Sequence, residues 1–408
     1  MRNRILGVAA MAFAIGCGAE GSAQAAPSTS GGMGALTAKR AFVTSVRGSG
    51  DLSSWPGAGG QTGVAAGDAI CAALARAAGL EPAGDFRAWL SDGADDAYCR
   101  VLGLHGKKAV RCGRAALPDG GPWTRTDGTP FAAALSRMLA PTYAVYAAPT
   151  VDERGSAVGF DRILTGTEAT GEASSGSAYR CDDWTSTTGN ARGGWTTATG
   201  AFWTSAGWLG TASAQACANP GRLLCLEIGA GAAIAPPSPA GKLAFVTSAR
   251  GAGNLGAWPD AGGKSGLTGA DAICASRAQA GGLANAARFK AWLSDGSTGA
   301  EDRITSDGPW VRPDGVRIAA SRADLAAGTL LAPLDVTEAS AYVPGNALDG
   351  SAWTGTAVGG KSSGATCEGW TSPSGGSIGT ASLVDDVRWS ASVDASCSSA
   401  FALYCLED

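Results

Sequence analysis

Ten cysteines are the residues with the most chemistry to offer. Cys71, Cys181, Cys217 and Cys225 in the first half of the chain recur as Cys274, Cys367, Cys397 and Cys405 in the second, while Cys99 and Cys112 occur in the first half only. C-x-x-C spacing of the kind that grips zinc is absent, so oxidised pairs in an exported chain are expected instead of a metal site. Four cysteines allow three pairings, and spacing alone does not choose among them. Cys99 and Cys112, an even pair in their own segment, are expected to bond locally.

Carboxylates come next. Ser-Asp-Gly follows Trp-Leu in both halves, at Asp92 and at Asp295, and two carboxylates in one cleft are what general acid–base hydrolysis needs. The same tripeptide is an ordinary turn, for which Asp and Gly have direct backbone reasons, and the turn is the expectation. Acidic pairs at Asp95-Asp96, Asp182-Asp183 and Asp385-Asp386 have the oxygen ligands calcium favours. They fall at non-equivalent positions and are expected to be solvated loop charge. His105 is the single histidine, so no Ser-His-Asp or Cys-His device can serve both halves. Arg100, His105, Lys107, Lys108, Arg111 and Arg114 crowd around Cys99 and Cys112. A loop closed there would hold these cations on a short projection able to attract phosphate or sulfate. Most of the thirteen tryptophans recur between the halves and are expected to be core anchors. Trp195 and Trp208 have no counterpart and are the better candidates for exposure on a carbohydrate platform.

These residues are positioned by one unit written twice. Lys39, Phe42, Asp68, Cys71, Phe86, Trp89 and Gly93 match Lys242, Phe245, Asp271, Cys274, Phe289, Trp292 and Gly296 at one constant offset. The copies then drift by insertion and re-lock at Trp123 and Trp310, at Thr165-Gly-Thr167 and Thr354-Gly-Thr356, and at Cys181/Trp184 and Cys367/Trp370. A period this long means tandem domains, not a solenoid. The expected organisation is residues 1–17 as an export signal, 18–38 as a Gly/Ala/Ser tether, 39–228 as a first domain with an insertion near 95–116, 229–241 as a linker stiffened by Pro236, Pro237 and Pro239, and 242–408 as a second domain.

Within each unit Phe42-Val-Thr and Phe245-Val-Thr read as strands. Thr268 to Gly281 reads as a helix, with Thr268 and Asp271 as a capping box and Gly281-Gly282 as its stop. Ile273, Cys274, Arg277 and Ala278 share one face of it, as Ile70, Cys71, Leu74 and Ala78 do in the first copy. Ser321 caps a second, shorter helix that Gly328 ends. The remainder alternates short apolar runs with Gly/Ser/Thr turns, which makes an α+β fold rich in loops.

Met1-Arg-Asn-Arg4 before the apolar run Ile5 to Ile15 has the layout of a secretory signal, too short to span a bilayer. Ala23-Gln-Ala25 is an ordinary cleavage site, while Ala14-Ile-Gly-Cys17 resembles a lipobox without its usual Leu. Cys17 is the odd cysteine of eleven, and acylation explains why an exported chain carries it there. A net charge of −4 gives no global pull toward nucleic acid or anionic lipid.

The order of a helix cysteine, Phe86-Arg-Ala-Trp-Leu-Ser91 or Phe289-Lys-Ala-Trp-Leu-Ser294, Trp353-Thr-Gly355, Cys367/Trp370 and a closing Leu403-Tyr-Cys-Leu-Glu407 resembles endostatin, a carboxy-terminal collagen fragment. The opening Phe-Val-Thr-Ser and Ala-Trp-Leu-Ser-Asp are nearer still to the leptospiral endostatin-like surface lipoproteins. The resemblance covers the second copy and most of the first, and implies two tandem C-type-lectin-like domains stabilised by disulfides. Its nested pattern implies Cys274 with Cys405 and Cys367 with Cys397, and likewise Cys71 with Cys225 and Cys181 with Cys217. The family's zinc histidines have no counterpart before Phe42 or Phe245, its heparin-binding arginine surface is not reproduced, and the sugar motifs of calcium-dependent lectins are missing.

The expected protein is therefore a non-enzymatic adhesion or recognition protein of a bacterial outer membrane or cell surface, with no cofactor; the alternatives are a purely structural envelope lipoprotein and a hydrolase that uses Asp92 and Asp295. Its partner is expected to be an extracellular protein or polysaccharide, with membrane contact only through the lipid on Cys17. Cys17→Ala should release the chain from membranes and abolish lipid labelling; a wild-type chain that begins at Ala26 and carries no lipid would show that the ordinary cleavage site is used.

Overall fold

The computed structural model describes residues 38–206, 214–229, 231–234, 238, 240–344, 350–373, 379–381, 388–392 and 395–408. Cys17, the tether before residue 38, Trp208, Asp385-Asp386 and the linker prolines lie outside these. From residue 38 onward the described chain belongs to one compact unit, of mixed α+β type.

In the first copy the β-branched opening run forms β1 (Lys39–Val43). After a helix at Gly63–Ala77 come β2 (Phe86–Ala88), β3 (Trp123–Arg125), β4 (Pro130–Ala132), β5 (Arg162–Leu164), β6 (Asn190–Ala191), β7 (Gly193–Trp195), β8 (Gln215–Ala216) and β9 (Leu224–Glu227). Five of these form a sheet in the order β2-β9-β1-β3-β4, with β1 antiparallel to β9 and parallel to β3. In the loop-rich half β5 pairs β7 and β6 pairs β8.

The second copy supplies β10 (Lys242–Val246), β11 (Phe289–Ala291), β12 (Trp310–Val311), β13 (Arg317–Ala319), β14 (Ser351–Trp353), β15 (Gly379–Ala381) and β16 (Ala402–Glu407). Its sheet runs β13-β12-β10-β16-β14-β15, with β11 also on β16. The alternation of strand side chains splits each core in two. Phe42 packs with the helix face of Ile70 and Cys71, while Ala41 and Val43 pack with Trp89, Trp123, Phe131 and Trp203 on the other side. Phe245 and its neighbours Ala244 and Val246 divide the same way.

The helix expected at Thr268 spans Gly266–Ala280, and its capping box does not form. Thr268 Oγ1 donates to Ser265 O, and the Asp271 carboxylate instead accepts from the Ala291 amide at 3.0 Å and from Arg303 at 2.6 and 2.8 Å. The helix begins two residues before Thr268, with Ser265 at its N-cap, so Thr268 lies inside the first turn, and Asp271 is taken by the strand amide and the guanidinium instead. Ser321 does cap Arg322–Ala327, accepting from the Asp324 amide, and Gly328 closes it.

Both C-x-x-W motifs form left-handed turns. Cys181, Asp182, Asp183 and Trp184 have φ of 52°, 50°, 52° and 70°, and Cys367, Glu368, Gly369 and Trp370 have 50°, 54°, 67° and 68°. An L-residue loses roughly 1–2 kcal/mol in this region. The turn is held by its cysteine's disulfide and by the buried indole, whose Nε1 donates to Ser91 O in one copy and Ser294 O in the other. Glycine already stands at 369. Glu368, exposed and at φ 54°, is the residue to relieve: Glu368→Gly should stabilise the protein by roughly 0.5 to 1 kcal/mol, the strain removed minus the extra entropy of glycine, read from denaturant midpoints, whereas Glu368→Ala should give no gain.

Candidate functional site

Residues shared by the copies serve the fold in both. Trp89 Nε1 donates to Thr204 Oγ1 and Trp292 Nε1 to Ser390 Oγ, at 2.7 and 2.8 Å. Trp123 Nε1 and Trp310 Nε1 reach Glu227 O and Glu407 O, and Trp55 Nε1 and Trp258 Nε1 reach Ser49 O and Ala252 O. Each Ser-Asp-Gly is a turn: Asp92 accepts from the Ala94 and Asp95 amides, and Asp295 from the Ser297 and Thr298 amides. Burial works against the Asp295 charge, but those amides hold its carboxyl below the ordinary value.

Cys71 is bonded to Cys225, Cys181 to Cys217, Cys99 to Cys112, Cys274 to Cys405 and Cys367 to Cys397. Disulfides of this number fit an exported chain, and no helix among the described residues is long and apolar enough to cross a membrane. Also among the described residues, no group of three or more His, Cys, Asp or Glu is placed to hold a metal.

The six expected loop cations do not stand together on a projection. The loop folds back because Asp95 and Asp96 accept its amides: Asp95 from Gly106, Asp96 from Lys108 at 2.8 Å. Asp96 also accepts from the Ala173 amide and pairs with Lys107 at 3.3 Å. Lys107 Nζ donates to Asp92 O. Lys108 Nζ donates to Thr170 O and lies 4.9 Å from the Tyr98 ring centre, and burial lowers its pKa. Desolvation works against the Asp95 charge, while the Gly106 amide and His105 Nδ1, 2.8 Å away, hold it below its ordinary value. Arg111 and Arg114 remain exposed at the tip beside Val110, which is 65% exposed.

Arg100 and His105 meet elsewhere, at a cleft of about 90 Å³ lined by Asp68, Arg87, Arg100, Gly103, Leu104 and His105. Arg100 Nη2 donates to Asp68 Oδ1 at 2.8 Å, and Arg87 Nε lies 3.6 Å from Asp68 Oδ2. Burial pushes the Asp68 carboxyl up, against the pull of Arg100. On the loop's other side an open groove of about 490 Å³ carries Asp92, Asp96, Glu168 and Glu172 against Lys107 and Arg180. Its balance is acidic.

Trp195 is half-buried and not a free platform. Phe160 stacks on it at 4.8 Å, and the Arg388 guanidinium of the second copy lies 4.1 Å from the Phe160 ring centre. No family model matches the chain, and no curated protein matches it.

A cluster invisible to sequence reading joins the copies. Arg312, fully buried, pairs with Asp335 at 2.5 Å and Asp314 at 2.7 Å, and donates to Tyr146 O of the first copy. Thr199 of the first copy donates to Asp335 at 2.6 Å. Two carboxylates on one guanidinium leave one negative charge over. Burial opposes the Arg312 charge, but Asp335 and Asp314 hold it above its ordinary value, and burial pushes the surplus carboxyl, Asp335, up to about 6 despite Arg312. A folded pKa above the unfolded one contributes stability below about pH 4 that is lost as pH rises through 6. In the first copy the counterpart of Asp335 is Thr150, which accepts from Arg125 at 2.7 Å. Asp335→Thr should therefore gain on wild type by about 2 kcal/mol between pH 4 and pH 7, measured as the difference of their denaturant stabilities; parallel profiles would show that Asp335 does not titrate there.

Proposed function

We propose that this protein is an exported, lipid-anchored bacterial binding protein whose two endostatin-like, C-type-lectin-like copies recognise an extracellular protein or polysaccharide and catalyse no reaction. The observation that carries this reading is the division of labour between shared and unshared residues. What the copies share is occupied by the core and by turns, Asp92 and Asp295 included. The tip of the Cys99–Cys112 loop, which only the first copy has, is displayed: Val110, Arg111 and Arg114 are exposed there. Apolar and cationic groups side by side on a disulfide-closed loop favour a partner that offers apolar contact next to negative charge.

The test is binding of the mature chain to arrays of matrix proteins and of envelope and matrix glycans. Wild type should bind at least one class, and the triple variant Val110→Ser, Arg111→Ser, Arg114→Ser should lose at least tenfold while keeping its melting temperature. An array silent for wild type, or a triple variant that binds equally, would remove the loop as a recognition surface. Turnover that disappears with Asp92→Asn and Asp295→Asn would overturn the non-catalytic reading itself.

A further inference from the structure

We propose that the cleft between Arg87, Arg100 and His105 is a binding site for one small oxyanion group, a carboxylate, sulfate or phosphate. Two guanidinium groups face a single carboxylate, Asp68, so the cleft has a positive balance. The Arg100 side chain is only 6% exposed. Its Nη2 is satisfied by Asp68 and by Val64 O, but its Nε is buried without any partner. A buried donor left unpaired costs about 1–3 kcal/mol, and an oxyanion in the cleft supplies the missing acceptor. Arginine's planar fork suits such a guest, because two of its N–H groups can meet two oxygens at once. The volume of about 90 Å³ takes one oxyanion and not a sugar ring.

The second copy shows the same position closed. Arg303, the counterpart of Arg100, sets Nη2 on both oxygens of Asp271 and Nη1 on Ala291 O and Leu293 O. Lys290, the counterpart of Arg87, is taken by Asp408 at 2.6 Å. In the first copy the extra residues follow Arg100, the last residue of the helix Ala97–Arg100 that matches Ala300–Arg303. Gly103, at φ 70°, turns the chain back so that Leu104 and His105 form the rim. His105 lines the cleft with its Nδ1 held on Asp95. The insertion has thus opened what its sister copy keeps shut.

The site deepens the recognition reading without depending on the array result. Sodium sulfate, phosphate and acetate are titrated into the mature chain against sodium chloride of equal ionic strength, with melting temperature and calorimetric binding as readouts. At least one of the three should raise the melting temperature saturably above chloride. Arg87→Gln should weaken that binding at least tenfold with little change in chloride, and Arg100→Gln should abolish it. Arg303→Gln should leave it unchanged. Because Arg100→Gln strands Asp68 and can unfold the copy, Arg87→Gln and His105→Ala carry the test alone if it does. No saturable effect beyond chloride, or wild-type affinity in Arg87→Gln and His105→Ala together, would overturn the site. Array binding without any oxyanion response would remove the site and leave recognition standing.

Discussion

Each copy depends on one cysteine in the middle of its sheet. Cys225 on β9 lies opposite Phe42 of β1 on one side and Ala88 of β2 on the other, and its sulfur is bonded to Cys71 on the helix. Cys405 stands the same way between Phe245 and Ala291, bonded to Cys274. One residue thus fixes two strand registers and the helix against them. In the chain-entropy account a closed loop of 154 or 131 residues contributes about 5 kcal/mol, and the inner loops of 36 and 30 contribute about 4. A chain with 62 glycines loses much entropy on folding, and the cross-links reduce that loss by restricting the unfolded state.

Register explains what the sequence disclosed. Because the copies share one offset from Lys39 to Gly93, the strands at Phe42 and Phe245, the helix cysteines and the buried indoles could be picked out without coordinates. Local signals failed where a distant partner competed. Asp271 is three residues past Thr268 and reads as a cap, yet it meets Arg303 and the Ala291 amide. Arg100, Lys107 and Lys108 read as surface charge until Asp68, Asp92, Asp96 and Thr170 arrive from elsewhere in the fold. The left-handed C-x-x-W turn has no signature beyond Gly369, since three of its four residues in the second copy are types that avoid that conformation.

The copies differ inside the fold as well as in their loops. Glu153 and Glu338 do the same work, each accepting a serine amide, from Ser45 and Ser248. Three residues earlier the copies part, Thr150 against Asp335, and that one change places a carboxylate at the junction of the two. A buried carboxylate is costly unless it is paired and hydrogen-bonded. Arg312 and Thr199 supply the pair and the hydrogen bond but offset the cost only in part, since burial still raises the Asp335 carboxyl.

That dependence runs in one direction. Thr150 satisfies Arg125 within the first copy, aided by Ala148 O and Asp127. Asp335 draws on the first copy for Thr199, and Arg312 for Tyr146 O. The second copy therefore has its most buried charges completed by the first, whereas the Arg125 cluster is complete within its own copy. The open Arg100 cleft and the displayed Cys99–Cys112 loop also belong to the first copy. In that arrangement the first copy carries the variable chemistry and shores up its neighbour. At the Asp68/Asp271 position the second copy keeps the tighter arrangement, Arg303 closed on Asp271.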